Sequence, residues 1–293
     1  MIINRLPVAR APERVVLFGA HGFIGKAIQA RLQEGGVATL ALASSEVDLT
    51  LPASVAQLSG LLKPTDAVVM LAALTPDKGR DIATLMRNLA MMQHLCAALE
   101  QTGCAHLVYF SSDAVYDNAV ARVTEAAPAS PQDLYGTMHR TREIMAGGIK
   151  APLLVLRPTL VYGADDTHNA YGPNRFRRTA QKDSKITLFG GGEEMRDHVH
   201  VDDVATLTMR CLIHQSAGIL NVATGISTSF RDVAALVARQ YGKPVEIIET
   251  PRANPVTYRH YDVTSLLKAF ADFRFIPLQD GIIRCHQKSA GTA

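Results

Sequence analysis

Short runs of apolar residues, each separated from the next by a segment of helix length, recur along the first half of the chain. The runs lie at residues 14–18, 37–43, 67–73, 106–110 and 153–157. Their apolar residues are continuous rather than alternating, which is typical of strands in a parallel sheet that is covered on both faces. The segments between them have helical spacing, most clearly residues 26–34, 52–62 and 80–101. The pattern therefore predicts a doubly wound α/β fold with a parallel sheet.

The rhythm of strands and helices breaks after Pro158. A loop rich in Gly, Asn and Arg follows, then a predicted short hairpin around residues 190–192, and the chain ends in a predicted polar tail after Cys285. We therefore expect a sheet domain over residues 1–158, to which later segments return, and a smaller lobe made mainly of residues 159–293.

Composition and charge exclude several classes of protein. The 293 residues are 47% hydrophobic and 19% charged, which is ordinary for a globular chain and argues against disorder. Lys and Arg (30) are interspersed with Asp and Glu (27), so neither a nucleic-acid groove nor a polybasic membrane patch is expected. We find no apolar run long enough for a membrane span or a signal peptide, and the four scattered cysteines fit reduced thiols. A cytoplasmic protein is expected.

Three glycines spaced three residues apart follow the first predicted strand and open the first predicted helix. They are Gly19, Gly22 and Gly25. Glycines let backbone N–H groups approach a pyrophosphate, which then lies at the positive end of the helix dipole. A glycine turn between a strand and a helix therefore predicts a dinucleotide-binding site.

The choice between NAD and NADP depends on the end of the second strand, where an acidic residue would bind the adenine-ribose 2′-hydroxyl. That end reads Leu42-Ala43-Ser44-Ser45. It offers no acid to reject a 2′-phosphate and no adjoining Arg to bind one. The cofactor is therefore predicted as NAD or NADP, with NADP slightly favoured by the missing acid.

Two motifs carry a resemblance to a known family, Ser111-Ser112-Asp113-Ala114-Val115-Tyr116 and Tyr135-Gly136-Thr137-Met138-His139. Leu156-Arg157-Pro158 and the stretch 196–203 follow them in the same order. With these motifs the chain resembles the extended short-chain dehydrogenase/reductases, the NAD-dependent epimerase/dehydratase family that acts mainly on nucleotide sugars. The resemblance covers nearly the whole chain. It implies a Rossmann fold, an NAD or NADP cofactor and a nucleotide-linked sugar as small-molecule substrate.

The resemblance also implies a set of cofactor contacts. These are Gly19, Gly22, Phe23, Ile24, Gly25, Ser44, Asp48, Leu49, Leu71, Ala72, Ala73, Tyr135, His139 and Pro158. Substrate contacts are implied at Asn174, Arg175 and Arg196, because a guanidinium is well matched to phosphate oxygens. Paired helices of the cofactor domain commonly form a homodimer in the family, so a homodimer is expected here.

The family's chemistry rests on a hydroxyl and a phenol. A Ser or Thr at the place of Ser112 hydrogen-bonds the substrate, and a Tyr at the place of Tyr135 exchanges a proton while hydride passes to or from the nicotinamide. A phenol with a pKa of about 10 is a poor base unless a neighbouring positive charge stabilises the phenolate. The family supplies that charge with a Lys four residues after the Tyr, where this chain has His139.

Three interpretations of His139 are open. It is a tolerated substitution in a working enzyme, a sign of a weakened or repurposed enzyme, or a sign of a non-catalytic NAD(P)-binding regulatory protein. Because Ser112 and Tyr135 are both retained, we expect a working enzyme. The His139 ring can support Tyr135 as an imidazolium, or it can hydrogen-bond the nicotinamide ribose as a neutral ring.

Asp113 is a further candidate for an acid or for a substrate contact. Dehydratases of the family often carry an Asp-Glu pair here, and this chain has Asp113-Ala114, which disfavours dehydration. Sugar 4-ketoreductases of the family show a Thr-Asp or Ser-Asp step like Ser112-Asp113. Ketone reduction and epimerisation are therefore the expected reactions.

His198, His200 and Asp202 alternate along one segment and resemble a set of metal ligands on one face of a strand. The family resemblance instead assigns this stretch to a structural strand that enters a helix at Asp202-Asp203, where carboxylates suit a helix N-terminus. No metal is expected.

Overall fold

The computed structural model describes residues 2–252 and 255–290. In this part of the chain the strands are β1 (Val15–Phe18), β2 (Thr39–Leu42), β3 (Ala67–Met70), β4 (His106–Phe110), β5 (Arg122–Val123), β6 (Leu153–Pro158), β7 (Leu160–Tyr162), β8 (Lys185–Phe189), β9 (Met195–His200), β10 (Gly218–Val222), β11 (Ser227–Ser229), β12 (Glu246–Thr250) and β13 (His260–Tyr261). The helices are α1 (Phe23–Glu34), α2 (Ser54–Leu61), α3 (Ile82–Thr102), α4 (Leu134–Gly147), α5 (Pro173–Asp183), α6 (Val201–Ile213), α7 (Phe230–Ala238), α8 (Thr264–Ala269) and α9 (Leu278–Ala290), with a 3-10 turn at Asp113–Val115.

A six-stranded parallel sheet in the order β2-β1-β3-β4-β6-β10 forms the centre of the molecule. Helices α1 and α6 cover one face, where Ile28 and Leu32 of α1 share an apolar core with Leu207 of α6. Helices α2, α3 and α4 cover the other face, where Met92 and Leu95 of α3 lie in a second core. The predicted doubly wound α/β fold is confirmed.

The order of the strands creates a crevice at one edge of the sheet. From β1 the chain moves outward to β2, and it then crosses to the opposite side of β1 to form β3 and β4. The loops that leave the carboxyl ends of β1 and β3 diverge at this point, and open α/β sheets bind their ligands there. The glycine turn directly follows β1 and therefore lies at this crevice.

A smaller group of elements follows Pro158. Strands β7, β9 and β11 form one sheet, and β8 pairs with β12 in another. Phe176 of α5, Leu188 of β8 and Phe230 of α7 belong to a third apolar core. Strand β10 and helix α6 return to the large sheet. The division into residues 1–158 and 159–293 stays a prediction.

Two expectations for the second half of the chain are wrong. The predicted hairpin around residues 190–192 does not form, because β8 pairs with β12 while β9 pairs with β7 and β11. The residues after Cys285 were expected to be a polar tail, but they continue α9 to Ala290. The His286 ring packs edge-on against Tyr241 with centroids 4.8 Å apart, which holds the helix beyond Cys285, and residues 291–293 of the predicted tail lie outside the described residues.

No helix within residues 2–252 or 255–290 is long and apolar enough to cross a membrane. The four cysteines, all within these ranges, are free thiols.

Candidate active site

The glycine turn brings the backbone of β1, β3 and α1 into close contact. Gly19 has a φ of +84°, and a Cβ atom there would lie 2.9 Å from the Ala72 nitrogen. A Cβ atom at Gly25 would lie 2.2 Å from the Gly19 carbonyl oxygen, and one at Gly22 would lie 3.2 Å from it. Helix α1 begins after Gly22, and no described side chain caps its N-terminus. The turn is therefore too tightly packed for side chains at these positions, and the backbone N–H groups of the uncapped helix end suit an anionic group.

The other residues predicted to contact the cofactor follow the glycine turn or lie at the ends of strands of the large sheet. The Phe23 ring packs so closely on Gly163 that a Cβ atom there would lie 2.8 Å from the ring, while Ile24 packs against the core of the sheet. Leu71, Ala72 and Ala73 follow β3 and are half-buried. Pro158 is buried at the end of β6, beside Val222 of β10.

The loop after β2 contains a carboxylate, Glu46, that the sequence analysis did not consider as a ligand of the adenine ribose. One oxygen of Glu46 accepts a hydrogen bond from the Ala43 N–H at 2.8 Å, and the other accepts one from the Ser45 hydroxyl at 2.6 Å. These bonds lower the pKa of Glu46, so that it is charged at neutral pH. Glu46 directly follows the stretch 42–45 in which an acid was sought, and the turn folds its carboxylate back to the end of β2. Ser44 is exposed beside it.

Asp48 and Leu49 lie further along the same loop. Asp48 accepts hydrogen bonds from the Thr50 N–H at 2.9 Å and from the Thr50 hydroxyl at 2.7 Å. Leu49 is buried in the second core, and its carbonyl oxygen lies 2.8 Å from His94 Nδ1. The loop is therefore fixed in shape between β2 and α2.

Ser112 and Tyr135 meet at the carboxyl end of the sheet. Ser112 ends the segment after β4, and its hydroxyl accepts a hydrogen bond from the Ala114 N–H at 3.1 Å, which caps the 3-10 turn. Tyr135 lies in the first turn of α4, which begins at the N-cap Asp133. Gly136, next to Tyr135, packs so closely on the 3-10 turn that a Cβ atom there would lie 2.2 Å from the Ala114 carbonyl oxygen, and the Ser112 hydroxyl beside the phenol lowers the pKa of Tyr135. Removal of the phenol from water and the charge of Asp113 outweigh it and raise the pKa of Tyr135 to about 12.

His139 lies one helical turn after Tyr135, and the two rings meet edge-on with centroids 4.6 Å apart. Burial, and to a smaller extent the charge of Arg142, lowers the pKa of His139 to about 3. Nδ1 of His139 lies 2.8 Å from the Tyr109 hydroxyl, while Nε2 is buried with no hydrogen-bond partner among the described residues. Of the two forms that the sequence left open, the structure favours the neutral ring.

A buried ion pair fixes α4 on the sheet. Glu143 of α4 accepts hydrogen bonds from Arg157 Nε at 2.8 Å and Arg157 Nη2 at 2.6 Å, and a third from the Ser111 hydroxyl at 2.6 Å. Arg157 also donates to the Tyr116 hydroxyl at 2.8 Å, which in turn donates to Asn221 at 2.8 Å. The helix that holds Tyr135 and His139 is thereby tied to β4, β6 and β10.

Asp113 is held by two residues that the sequence did not single out. Its carboxylate accepts a hydrogen bond from the Tyr261 hydroxyl at 2.6 Å and lies 3.3 Å from Arg259 Nη1. Arg259 is buried and also donates to the Asn118 side chain at 2.9 Å. Because both residues lie more than 140 positions away in the sequence, no local pattern could indicate them.

The three predicted substrate residues differ in their surroundings. The Asn174 side chain is buried, where it accepts from the Gly163 N–H at 3.1 Å and donates to the Val161 carbonyl at 3.4 Å. Arg175 is exposed at the start of α5. Arg196 pairs with Glu194 and donates to the Thr257 hydroxyl at 2.6 Å. Of these side chains, Arg175 is the most available to a ligand.

The alternating residues 198, 200 and 202 lie at the end of β9 and in the first turn of α6. His200 caps α6, since its Nδ1 accepts a hydrogen bond from the Asp202 N–H at 3.2 Å. His198 is buried with its ring edge-on to Phe230, and Asp202 is exposed. Within residues 2–252 and 255–290, no group of three His, Cys, Asp or Glu side chains could hold a metal ion.

Two cavities differ in whether the candidate catalytic residues line them. One of about 90 Å³ opens beside Tyr135, and its walls include Asn88, Asp133 and Met138. A larger one of about 520 Å³ lies between α1, α6 and α9 and is not lined by Ser112 or Tyr135. The smaller cavity is therefore the one that adjoins the candidate chemistry.

Comparison with known proteins identifies the family. Residues 15–223 match the model of the NAD dependent epimerase/dehydratase family. The chain belongs to this family of NAD(P)-dependent enzymes of the nucleotide-sugar epimerase/dehydratase type, and the resemblance seen in its motifs is confirmed.

Individual relatives are distant but span the whole chain. GDP-L-fucose synthase of Escherichia coli (strain K12) is 23% identical over 94% of this chain and 96% of its own. The UDP-glucose 4-epimerase of Thermus thermophilus, solved with NAD, superposes with a TM-score of 0.82 at 23% identity, over 96% of this chain and 100% of its own. RMD of Pseudomonas aeruginosa, solved with NADPH, superposes with a TM-score of 0.84 at 24% identity over the same shares. These structures share the fold, and they carry NAD or NADPH.

Proposed function

We propose that this protein is an NAD(P)-dependent reductase that converts a keto group of a nucleotide-linked sugar to a hydroxyl, with Tyr135 as the proton donor. The observation that carries the proposal is the packing of the start of α4 against the turn that Ser112 caps, which places Tyr135 near Ser112 at the carboxyl end of the sheet with the His139 ring edge-on to the phenol at 4.6 Å. This arrangement offers two hydroxyl groups to one substrate oxygen. It stands next to a glycine turn that suits a dinucleotide.

The residues present fit a nicotinamide dinucleotide. A Cβ atom at Gly19 or Gly25 would collide with neighbouring backbone, so the turn is tight and carries no side chain at these positions, and the uncapped N-terminus of α1 beside it suits the pyrophosphate. Nε2 of His139 is a buried polar atom without a partner among the described residues, and a ribose hydroxyl would supply one. We assign the cofactor to this crevice together with the contacts predicted from the sequence, from Phe23 and Ile24 to Pro158.

When bound, the reduced cofactor supplies the hydride that reduces the carbonyl carbon. Ser112 donates a hydrogen bond to the carbonyl oxygen and orients it toward Tyr135. Tyr135 gives its phenol proton to the same oxygen as negative charge develops on it, so the product is an alcohol. Asp113 does not donate a proton in this scheme, because Tyr261 and Arg259 hold it. Its charge instead keeps Tyr135 protonated.

The protonation states favour reduction over epimerisation. An epimerase begins by removing a proton from a sugar hydroxyl, which requires a phenolate or a base beside the phenol. Here the pKa of Tyr135 is raised to about 12 and the neighbouring imidazole is neutral, so the resting site holds an acid rather than a base. A carbonyl substrate uses that acid directly.

Glu46 favours NAD over NADP within the same proposal. Its carboxylate is charged and lies at the end of β2, held by the Ala43 N–H and the Ser45 hydroxyl. A carboxylate at this place accepts hydrogen bonds from a ribose 2′-hydroxyl and repels a 2′-phosphate. The slight preference for NADP drawn from the sequence rested on the absence of this acid.

A homodimer formed through α3 and α4 is part of the proposal. Met86 of α3 and Ile144 of α4 are 57% and 62% exposed on these two adjoining helices, and Ile82 is 69% exposed at the start of α3. Apolar side chains this exposed on neighbouring helices suit a second copy of the same surface. The cytoplasmic location stays a prediction.

Stopped-flow oxidation of NADH and NADPH with a panel of UDP-, dTDP- and GDP-linked 4-keto sugars tests the function. We expect one keto sugar to oxidise the cofactor stoichiometrically, with NADH preferred. Binding of the cofactor without oxidation by any keto sugar, but with interconversion of sugar epimers, would replace the reductase by an epimerase. Cofactor binding with neither reaction would favour the non-catalytic NAD(P)-binding protein.

A further inference from the structure

Two buried side chains adjoin the His139–Tyr135 pair without belonging to it. Tyr109, on β4, is fully buried, and its hydroxyl lies 2.8 Å from Nδ1 of His139. Arg142, on α4, is also fully buried, with its guanidinium carbon 5.3 Å from the centre of the Tyr109 ring. Neither residue belongs to the motifs that identify the family.

The contact with Tyr109 determines which His139 nitrogen carries the proton. If Nδ1 carried it, Nε2 would lack a donor and the buried Tyr109 hydroxyl proton would lack an acceptor. If Tyr109 donates to Nδ1, only the Nε2–H remains without a partner among the described residues. The second arrangement leaves fewer buried polar groups unsatisfied and is therefore favoured. It makes Nε2–H the donor that His139 offers to a ligand.

Arg142 is a buried cation without a carboxylate partner in the described part of the chain. It donates to the Ala72 carbonyl oxygen at 2.9 Å and lies 3.7 Å from the Met138 sulfur, while its Nε has no partner there. Glu143, its neighbour in sequence, is bonded to Arg157 and Arg140 instead. An unpaired buried charge is costly to folding, so its presence calls for a compensating role.

The position of Arg142 suggests that role. Tyr135, His139 and Arg142 occupy positions i, i+4 and i+7 of α4, which share one face of a helix. The positive charge of Arg142 lowers the pKa of Tyr135, and it adds to the burial that keeps His139 neutral. A guanidinium stays charged at every relevant pH, unlike an imidazole.

We propose that Tyr109 and Arg142 are positioning residues for the Tyr135–His139 pair. Tyr109 holds His139 as the neutral tautomer with Nε2–H free for the cofactor, and Arg142 supplies the fixed positive charge that the imidazole does not. The roles that the family's lysine combines in one side chain are thereby divided among Tyr109, His139 and Arg142. The inference rests on the proposed function, since it concerns the proton donor of that reaction.

Nitrogen-15 NMR of the histidine rings, in the full-length protein without cofactor, tests the role of Tyr109. We expect an unprotonated Nδ1 and a protonated Nε2 on His139, and a mixture of both tautomers in Tyr109→Phe. Tyr162→Phe is a matched control, because Tyr162 is equally buried but lies in the core of the smaller lobe. A protonated Nδ1 on His139 in the unmodified protein would overturn this part of the proposal.

The role of Arg142 is tested on the ionisation of the phenol itself. A fluorinated tyrosine at position 135, which is more acidic than tyrosine, reports its ionisation by fluorine NMR without cofactor, substrate or turnover. We expect the midpoint to rise by about one pH unit in Arg142→Met and to return in Arg142→Lys. Arg210→Gln, which removes a charge on α6 that is paired with Asp272, is the control and leaves the midpoint unchanged.

The outcomes separate the inference from the proposed function. An unchanged midpoint in folded Arg142→Met would overturn the role of Arg142, even if the protein reduces a keto sugar. A shifted midpoint in a protein that reduces no keto sugar would uphold the electrostatic role and refute the function. Because Met replaces an unpaired buried charge, we expect Arg142→Met to melt no lower than the unmodified protein. A lower melting temperature together with an unchanged midpoint would assign Arg142 a structural role only.

Discussion

The ring of Tyr135 meets the ring of His139 edge-on, with 4.6 Å between their centroids. This contact joins the proposed proton donor to a side chain whose pKa burial lowers to about 3. A neutral neighbour does not stabilise a phenolate by its charge, so Tyr135 rests as a phenol. The proposed reduction makes use of this state, because a phenol can protonate a carbonyl oxygen.

The first prediction concerns pH. A proton donor works while it is protonated, so activity falls only as pH rises toward its pKa, which for Tyr135 is raised to about 12. The pKa of His139 is lowered to about 3, so its ring does not titrate near neutral pH. We expect kcat/KM for reduction to be level between about pH 5 and about pH 9. A change in kcat/KM near the ordinary imidazole pKa that is absent in His139→Gln would contradict the neutral state of the His139 ring.

The second prediction concerns the glycine turn. A Cβ atom at Gly25 would lie 2.2 Å from the Gly19 carbonyl oxygen. We therefore expect Gly25→Ala to destabilise the fold by about 1–3 kcal/mol and to weaken NADH binding at least about tenfold.

Gly60→Ala is the control for this change. Gly60 lies in α2, where a Cβ atom would meet no other described atom within 4 Å, and we expect that change to add up to about 1 kcal/mol of stability. Thermal melts and fluorescence titration measure both effects. Equal changes in melting temperature and NADH affinity in the two variants would show that the backbone at Gly25 has room for a side chain.

The third prediction concerns the ion pair that fixes α4. Arg157→Met leaves the buried Glu143 carboxylate without its main partner, so we expect a loss of about 3–5 kcal/mol in the free energy of unfolding. Arg122→Met removes another arginine, from an exposed ion pair with Asp262. We expect it to lower the free energy of unfolding by less than about 1 kcal/mol. Urea denaturation compares the two variants. A loss at Arg157 no larger than that at Arg122 would refute the anchoring role of the buried pair.

The fourth prediction concerns cofactor preference. Glu46→Gln removes the negative charge at the end of β2, and we expect the ratio of NADPH to NADH affinity to rise about tenfold. Glu34→Gln removes an exposed charge at the far end of α1, paired with Arg31, and should leave the ratio unchanged. Fluorescence titration gives both dissociation constants. A constant ratio in Glu46→Gln would assign discrimination to other residues.

The hydrophobic pattern predicted five of the six strands of the large sheet, because most of these are continuous buried runs, as in Val15–Phe18 and Ala67–Met70. Strand β10 was not predicted, since it returns to the sheet from the second half of the chain. The smaller lobe was harder to predict, since β8 pairs with β12 across some sixty residues and no local signal marks that pairing. The same limit applies to the site. Ser112 and Tyr135 lie in short motifs, whereas the Asp113 contacts with Arg259 and Tyr261 depend on distant chain segments.

Glu46 shows a different limit. The acid was sought at the last residues of β2, where the strand direction would place it, and a tight turn returns it to that place from further along the loop. The charge of His139 was likewise undetermined in the sequence. Burial decides it, and burial depends on the packing of Tyr109 and Tyr135 against the ring.

The most direct test of the account is the rate of hydride transfer in Tyr135→Phe, measured in a single turnover with the keto sugar that the unmodified protein reduces. The account predicts a loss of about 100-fold to 10,000-fold in that rate, with a dissociation constant for NADH that changes by less than about threefold. A rate equal to that of the unmodified protein would contradict the assignment of Tyr135 as the proton donor.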